Sequence, residues 1–119
     1  MFENFNPLVY FSKMSSTINQ LQLLQQNLQN ILLQKQQLQN QQAEINSALE
    51  GLMNTEKAYK ILGNIMIAFP KEKLLHDLED QNKMAALRLK NVMVHEEKIK
   101  KSIQELQKEV VTELGKKNE

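Results

Sequence analysis

Apolar residues follow a helical repeat over two long stretches of the chain, and the first stretch runs from Thr17 to Met53. Leucine and isoleucine recur there at alternating spacings of three and four residues, with Lys35 and Gln42 at two positions of the same repeat. This spacing places the apolar side chains on one stripe of a helix and is typical of a coiled-coil seam. The pattern therefore predicts a helix over residues 17–53 with the seam Leu21, Leu24, Leu28, Ile31, Leu38, Ile45, Leu49 and Leu52.

A second seam follows Pro70. Proline suits the first turn of a helix, because its missing N–H has no partner there in any case. The repeat ends before Gly115, and glycine commonly terminates helices. The pattern predicts a helix over residues 70–114 and a charged tail over residues 115–119. The predicted seam consists of Leu75, Leu78, Asn82, Ala85, Leu89, Val92, Glu96, Ile99, Ile103, Leu106 and Val110.

Between the two repeats, the stretch Ala58–Phe69 carries β-branched, aromatic and other apolar residues on both sides of Gly63-Asn64. Glycine and asparagine tolerate the positive φ that a two-residue turn demands, so we predict a β-hairpin over residues 58–69. The alternative is a helix that continues through this stretch, which Gly63 and the isoleucines disfavour. Both faces of the hairpin are apolar apart from Lys60, and an isolated hairpin is only marginally stable, so we expect it to assemble with other chains. The residues predicted to carry this assembly are Tyr59, Ile61, Leu62, Gly63, Asn64, Ile65, Ile67 and Phe69.

Residues 1–16 form an aromatic-rich N-terminal extension in front of the first predicted helix. Phe2, Phe5, Tyr10 and Phe11 lie within its first eleven residues, without a helical period. Such a segment is either a contact surface or a cap on another element. A third interpretation is that the natural chain starts at Met14, which is followed by a good helix-start signature.

Folding the two predicted helices back across the hairpin gives a long antiparallel coiled coil, so the predicted fold class is mainly α. Aligning the seams with Leu52 against Leu75 sets Lys35 within one layer of Glu96. We expect this pair to fix the register, as polar residues within a seam can. The alternative is that both long side chains simply extend outward to solvent.

The same register brings the free ends of the two helices together, away from the hairpin. If the last turns splay, apolar groups are left uncovered, and such a patch marks an interaction surface. Ordinary seam packing with frayed ends is the alternative. The residues predicted to form this binding tip are Leu8, Val9, Tyr10, Phe11, Met14, Ile18, Leu21, Leu106, Val110 and Leu114.

The composition argues against several classes of function. The 119 residues include no cysteine, and the only two histidines, His76 and His95, lie at no metal-ligand spacing. We therefore expect no enzyme activity, metal site or cofactor. A net charge of +1 lacks the basic footprint of a nucleic-acid binder. No stretch is apolar enough for a signal peptide or a membrane span, so we expect a soluble, cytoplasmic protein without nucleic-acid or membrane partners.

Three stretches together resemble the beta-class subunit of prefoldin, in its archaeal form, with a eukaryotic homologue as the alternative. They are Leu33-Gln34-Lys35-Gln36-Gln37-Leu38, Ala58-Tyr59-Lys60-Ile61-Leu62-Gly63-Asn64-Ile65-Met66-Ile67 and Lys71-Glu72-Lys73-Leu74, and the likeness extends from about Thr17 to Val111. The hairpin stretch is the specific part, since any coiled coil has heptads. The N-terminal extension and the short link Asn54–Lys57 depart from the family pattern.

The resemblance implies a hexamer of two alpha-class and four beta-class subunits, whose hairpins join in oligomeric β-barrels. It also implies a co-chaperone that holds unfolded client proteins at the coiled-coil tips without ATP and delivers them to a cytosolic group II chaperonin. A structural coiled-coil scaffold or tether without chaperone activity is the main alternative. An accessory subunit that docks on an enzyme is a further one.

Overall fold

A computed structural model describes the backbone of residues 7–118, with all side chains except those of Tyr10, Leu114 and residues 116–118. In chain order, helix α1 spans Pro7–Met53, strand β1 Ala58–Leu62, strand β2 Ile65–Phe69 and helix α2 Lys71–Asn118. The predicted order of helix, hairpin and helix is confirmed.

The chain divides into two compact units. The helix-end unit joins the part of α1 up to Leu33 to the part of α2 from Val94 onward. The hairpin unit spans Gln34–Met93 and contains both strands.

The hairpin begins at the pair Ala58 and Phe69 and closes at Leu62 and Ile65, in an antiparallel register. Gly63 has a φ of 60°, whereas no other residue in the described part of the chain has a positive φ. Glycine at the first central position, followed by a residue with negative φ, is the pattern of a type II′ turn. The hairpin is therefore confirmed, but only Gly63, and not Asn64, needs the left-handed region.

Helix α1 begins at Pro7, so the predicted start at Thr17 is wrong. The hydroxyl of Thr17 does not cap a helix, because Oγ1 donates to the carbonyl of Lys13 at 3.0 Å, one turn earlier. Threonine can satisfy its hydroxyl inside a helix in this way, and proline suits a first helical position. Residues 7–16 of the predicted extension are therefore helical, whereas residues 1–6 lie outside the described residues.

Helix α2 differs from its predicted bounds at both ends. The N–H of Leu74 donates to the carbonyl of Pro70 at 3.2 Å, so Pro70 is the cap residue and the helix itself begins at Lys71. The predicted end at residue 114 is wrong, because Gly115 lacks the positive φ of a glycine cap and the helix continues to Asn118. Glu119, the last residue of the predicted tail, lies outside the described residues.

The buried side of each helix follows the predicted seam. In the hairpin unit the buried helix residues are Ile45 at 5% exposure and Ala85 at 2%. In the helix-end unit Ile31 and Ile99 are buried. The polar members of the seam are also shielded from solvent. Lys35, Gln42 and Asn82 are half-buried, and Glu96 is buried.

Polar contacts between the helices show the same alignment in each unit. In the hairpin unit, Nδ2 of Asn82 donates to Oδ1 of Asn46 at 3.4 Å, next to the predicted opposition of Ile45 and Asn82. In the helix-end unit, Nζ of Lys13 lies 3.9 Å from Oε1 of Glu113. In both units the two helices therefore lie side by side and antiparallel, as the seams predict.

Candidate functional site

One face of the hairpin is entirely apolar and open to solvent. Because side chains alternate across a strand, the observed register places Tyr59, Ile61, Met66 and Ala68 on this face, the Tyr59 face. All four are exposed, and Ile61 retains 67% of its accessible surface. Apolar side chains gathered in this way are typical of an interface, because burial of their surface is the main favourable contribution to association.

The opposite face combines apolar side chains with positive charge. It carries Ala58, Lys60, Leu62, Ile65, Ile67 and Phe69, and is called the Lys60 face here. At its base, Ala58 is buried and Phe69 half-buried. Nζ of Lys60 lies 5.5 Å from the centroid of the Phe69 ring, and Nζ of Lys73 lies 5.9 Å from it. Both distances fall within the range of cation–π attraction.

The hairpin also has two open edges. In the described part of the chain the sheet consists of β1 and β2 alone, so each strand is hydrogen-bonded on one side only. The outer N–H and C=O groups of such strands form a template for a further strand. The hairpin can thus add strands at its edges and bury its faces in the same assembly.

The structure brings all eight predicted assembly residues together in the hairpin. Sequence reasoning left out Met66, although strand alternation places it beside Ile61 on the Tyr59 face. It also left out Lys73, for which the sequence holds no signal. The approach of Lys73 to Phe69 depends on how the chain turns from β2 into α2.

The second candidate surface lies where α1 begins and α2 ends. Among the predicted tip residues, Leu8, Val9, Phe11 and Ile18 are exposed, with Leu8 at 79% and Phe11 at 71%. The distance of 3.9 Å between Nζ of Lys13 and Oε1 of Glu113 places the end of α2 beside this part of α1. The four exposed residues are called the helix-end surface here.

The remaining predicted tip residues divide differently. Leu21, Leu106 and Val110 are seam members, and Met14, seven residues before Leu21, extends the seam of α1. All four are half-buried and so are less accessible to a partner. The side chains of Tyr10 and Leu114 lie outside the described residues. Val111 is exposed but was not among the predicted tip residues. The heptad spacing places its neighbour Val110 in the seam, and the prediction was made from the seam.

The register pair Lys35 and Glu96 stays a prediction. Glu96 is only 4% exposed, and its Oε1 lies 3.1 Å from Nζ of Lys100 one turn later. We expect a double-mutant cycle with Lys35→Ala and Glu96→Ala, followed by urea unfolding, to give a coupling free energy of at least about 0.5 kcal/mol. Additive effects of the two substitutions would contradict the pair. Lys100→Ala alone measures the neighbouring contact for comparison.

The described residues hold no group of three or more His, Cys, Asp or Glu side chains that could bind a metal ion. The imidazole Nδ1 of His76 lies 3.3 Å from Oδ2 of Asp80, an exposed pair one turn apart on α2. Within residues 7–118, neither helix has an apolar stretch long enough to cross a membrane.

Comparison with known proteins agrees with this arrangement. The family model described as prefoldin subunit matches residues 15–117. The prefoldin subunit beta of Pyrobaculum neutrophilum is 32% identical over 102 residues, which cover 83% of this chain and 81% of that protein. The prefoldin subunit beta of Methanosarcina acetivorans is 31% identical over 108 residues, covering 88% and 92% of the two chains.

The fold is shared with a crystal structure as well. The prefoldin beta subunit from Thermococcus strain KS-1 superposes with a TM-score of 0.79 at 24% sequence identity, covering 92% of this chain and 94% of that one. The match of the family model extends over both helices and the hairpin, and the similar proteins are beta subunits. This chain therefore belongs to the prefoldin subunit family.

Proposed function

We propose that this chain is a subunit of a hexameric prefoldin complex that binds unfolded proteins without ATP and delivers them to a cytosolic group II chaperonin. Membership of the prefoldin subunit family supports a co-chaperone role. The observation that carries the proposal is the exposure of apolar side chains at two separate places, the hairpin and the helix-end surface. A chain that served only as a coiled-coil tether would have no use for either.

The hairpin is the proposed site of assembly. The partners are alpha-class prefoldin subunits and further copies of this chain, in a complex of two alpha-class and four beta-class subunits. The open edges of β1 and β2 provide the hydrogen-bonding groups for further strands, and the Tyr59 face provides apolar surface to bury. Strands added at both edges would close the sheet towards a β-barrel, which removes the exposed edges.

The helix-end surface is the proposed site of client binding. Leu8, Val9 and Phe11 lie close together in the first turns of α1 and present exposed apolar surface. Such a surface binds without directional requirements, which suits clients that have no common structure. Each contact is weak, and several subunits around one client raise the overall affinity. This role requires no cofactor, metal ion, nucleic acid or membrane, and no catalytic residue.

The proposal predicts that polar substitutions on the helix-end surface abolish most of the holding activity. We expect the triple variant Leu8→Ser, Val9→Ser, Phe11→Ser to require about tenfold more complex for the same suppression of aggregation, since apolar contact area is lost at every subunit. Light scattering from a guanidinium-unfolded model enzyme, diluted into buffer that contains the complex, measures this effect. Size-exclusion chromatography of the variant should still show the full complex, because the hairpin is unchanged.

The matched control is the variant Leu23→Ser, Leu33→Ser. Both leucines are exposed residues of α1 outside the seam and in the same unit. This variant should suppress aggregation as well as the wild type. If the triple variant does so too, the helix-end surface does not bind clients. If wild-type complex with added group II chaperonin gives no more refolded enzyme than chaperonin alone, the proposed delivery is wrong.

A further inference from the structure

Positive charge is concentrated around the hairpin, although the chain as a whole is almost neutral. Residues 56–73 contain four lysines and two glutamates. Two of these lysines, Lys60 on β1 and Lys73 on α2, come from different elements and converge on the Phe69 ring. Within the described residues, neither forms an ion pair. Lys60 on the Lys60 face and Lys73 beside it therefore place two ammonium groups next to Phe69, and neither is paired with a carboxylate of the described residues.

The contact with Phe69 places these charges beside an apolar surface. Lys60 and Phe69 are diagonal neighbours across the hairpin, because Lys60 is paired with Ile67 and Phe69 with Ala58. Cation–π attraction at exposed sites contributes modestly, but it directs both ammonium groups to one ring. A chain that covers Phe69 must consequently approach two positive charges as well.

This arrangement distinguishes between possible occupants. A second copy of this chain, laid on the Lys60 face by the same face, would bring its own Lys60 and Lys73 towards the first pair. Like charges that meet at an interface cost several kcal/mol and suppress the wrong partner. A partner with a carboxylate at this place would instead form charge-assisted hydrogen bonds. The Tyr59 face, which has no charge, makes no such distinction.

We infer that the Lys60 face docks a partner hairpin that presents a carboxylate next to Phe69, and that it disfavours a second copy of this chain. The inference rests on the proposed assembly through the hairpin and identifies the chemistry that selects the partner. Lys60 and Lys73 are specificity-determining residues in this scheme. Apolar area on both faces supplies the affinity, and the two lysines determine which subunit is accepted.

Charge reversal tests the inference. We expect the variant Lys60→Glu, Lys73→Glu to bind the alpha-class subunit from the same organism about 30-fold more weakly than the wild type, as charge pairs at interfaces can. Titration of a fluorescently labelled alpha-class subunit at low and high salt measures the dissociation constant. The difference between variant and wild type should shrink at high salt, because screening weakens the lost attraction. Far-UV circular dichroism verifies that the variant is folded.

Two further variants separate charge selection from a general effect of charge. Lys83→Glu makes the same change on α2 within the hairpin unit, and we expect a change of less than about twofold. Lys60→Arg keeps the positive charge and should bind nearly as the wild type does. If the double reversal binds as tightly as the wild type, or if Lys83→Glu weakens binding equally, the inference is wrong.

A mixing experiment tests the same idea without the alpha-class subunit. An equimolar mixture of the wild type and the Lys60→Glu, Lys73→Glu variant presents opposite charges on the Lys60 face. We expect the mixture to associate at about tenfold lower concentration than either chain alone, as measured by sedimentation velocity. No gain on mixing overturns the inference. If the wild type binds no alpha-class subunit, the proposed assembly is wrong instead. The mixing experiment would then still show whether the Lys60 face distinguishes between like and opposite charge.

Discussion

The substitution Ile61→Asp is expected to weaken assembly with the alpha-class subunit by at least about 100-fold, which corresponds to roughly 2.7 kcal/mol. Ile61 lies at the middle of the Tyr59 face and is 67% exposed in the single chain. If the proposed assembly covers this face, the variant must bury a carboxylate among apolar side chains without a partner, which is costly. Sedimentation velocity of the mixed subunits measures the loss of the complex.

A matched control is available on the same unit. Leu87 is an apolar residue of α2 with 57% exposure, and it lies on neither face of the hairpin. We expect Leu87→Asp to assemble like the wild type, because only the hairpin is proposed to be covered. Both variants should keep the wild-type helical signal in circular dichroism. Normal assembly of Ile61→Asp would show that the Tyr59 face stays open in the complex.

The hairpin could be predicted from sequence because two independent local signals agree. Isoleucine-rich runs favour strands, and Gly63 supplies the positive φ that the turn adopts. The seams could be predicted for a similar reason, since a repeat held over many turns leaves little freedom as to which side of the helix is buried. Even the polar residues Lys35 and Gln42, which occupy positions of the same heptad repeat, are half-buried.

The helix ends could not be predicted in the same way, because a cap signature is a short and local pattern. Thr17 has the right side chain for a cap, yet its hydroxyl is equally well satisfied by the carbonyl of Lys13 inside the helix. Gly115 is permitted to take a left-handed conformation but is not forced to, and α2 continues through it. In both cases a residue that is compatible with a helix boundary was interpreted as the boundary itself.

The two candidate sites also differ in how well the sequence predicts them. The predicted assembly residues are close together in sequence, so a correct prediction of the hairpin also identifies this candidate site. The predicted tip residues mix two kinds of position: Leu8 and Phe11 are exposed, whereas Met14 and Leu21 belong to the seam. Whether a side chain faces the partner helix or solvent depends on the register of the coil. A list of apolar residues near the helix ends does not contain that information.

The second large effect is expected at the seam, from the substitution Ile45→Ala. Ile45 is 5% exposed within the hairpin unit, close to the hydrogen bond between Asn46 and Asn82. Removing a buried isoleucine side chain beyond Cβ costs about 2–4 kcal/mol, from lost transfer free energy and the cavity that remains. Urea unfolding monitored by far-UV circular dichroism should show this loss in the free energy of unfolding.

Met84→Ala provides the comparison, because Met84 lies on the same helix as the buried Ala85 but is 55% exposed. Its substitution should change the free energy of unfolding by less than about 0.5 kcal/mol, as is usual for surface positions. The difference between the two variants then measures packing at the seam rather than the general cost of losing an apolar side chain. Equal effects would mean that the helices do not pack at Ile45. A large effect confined to Ile45→Ala would show that the two helices pack at this seam position in the single chain, independently of any partner subunit.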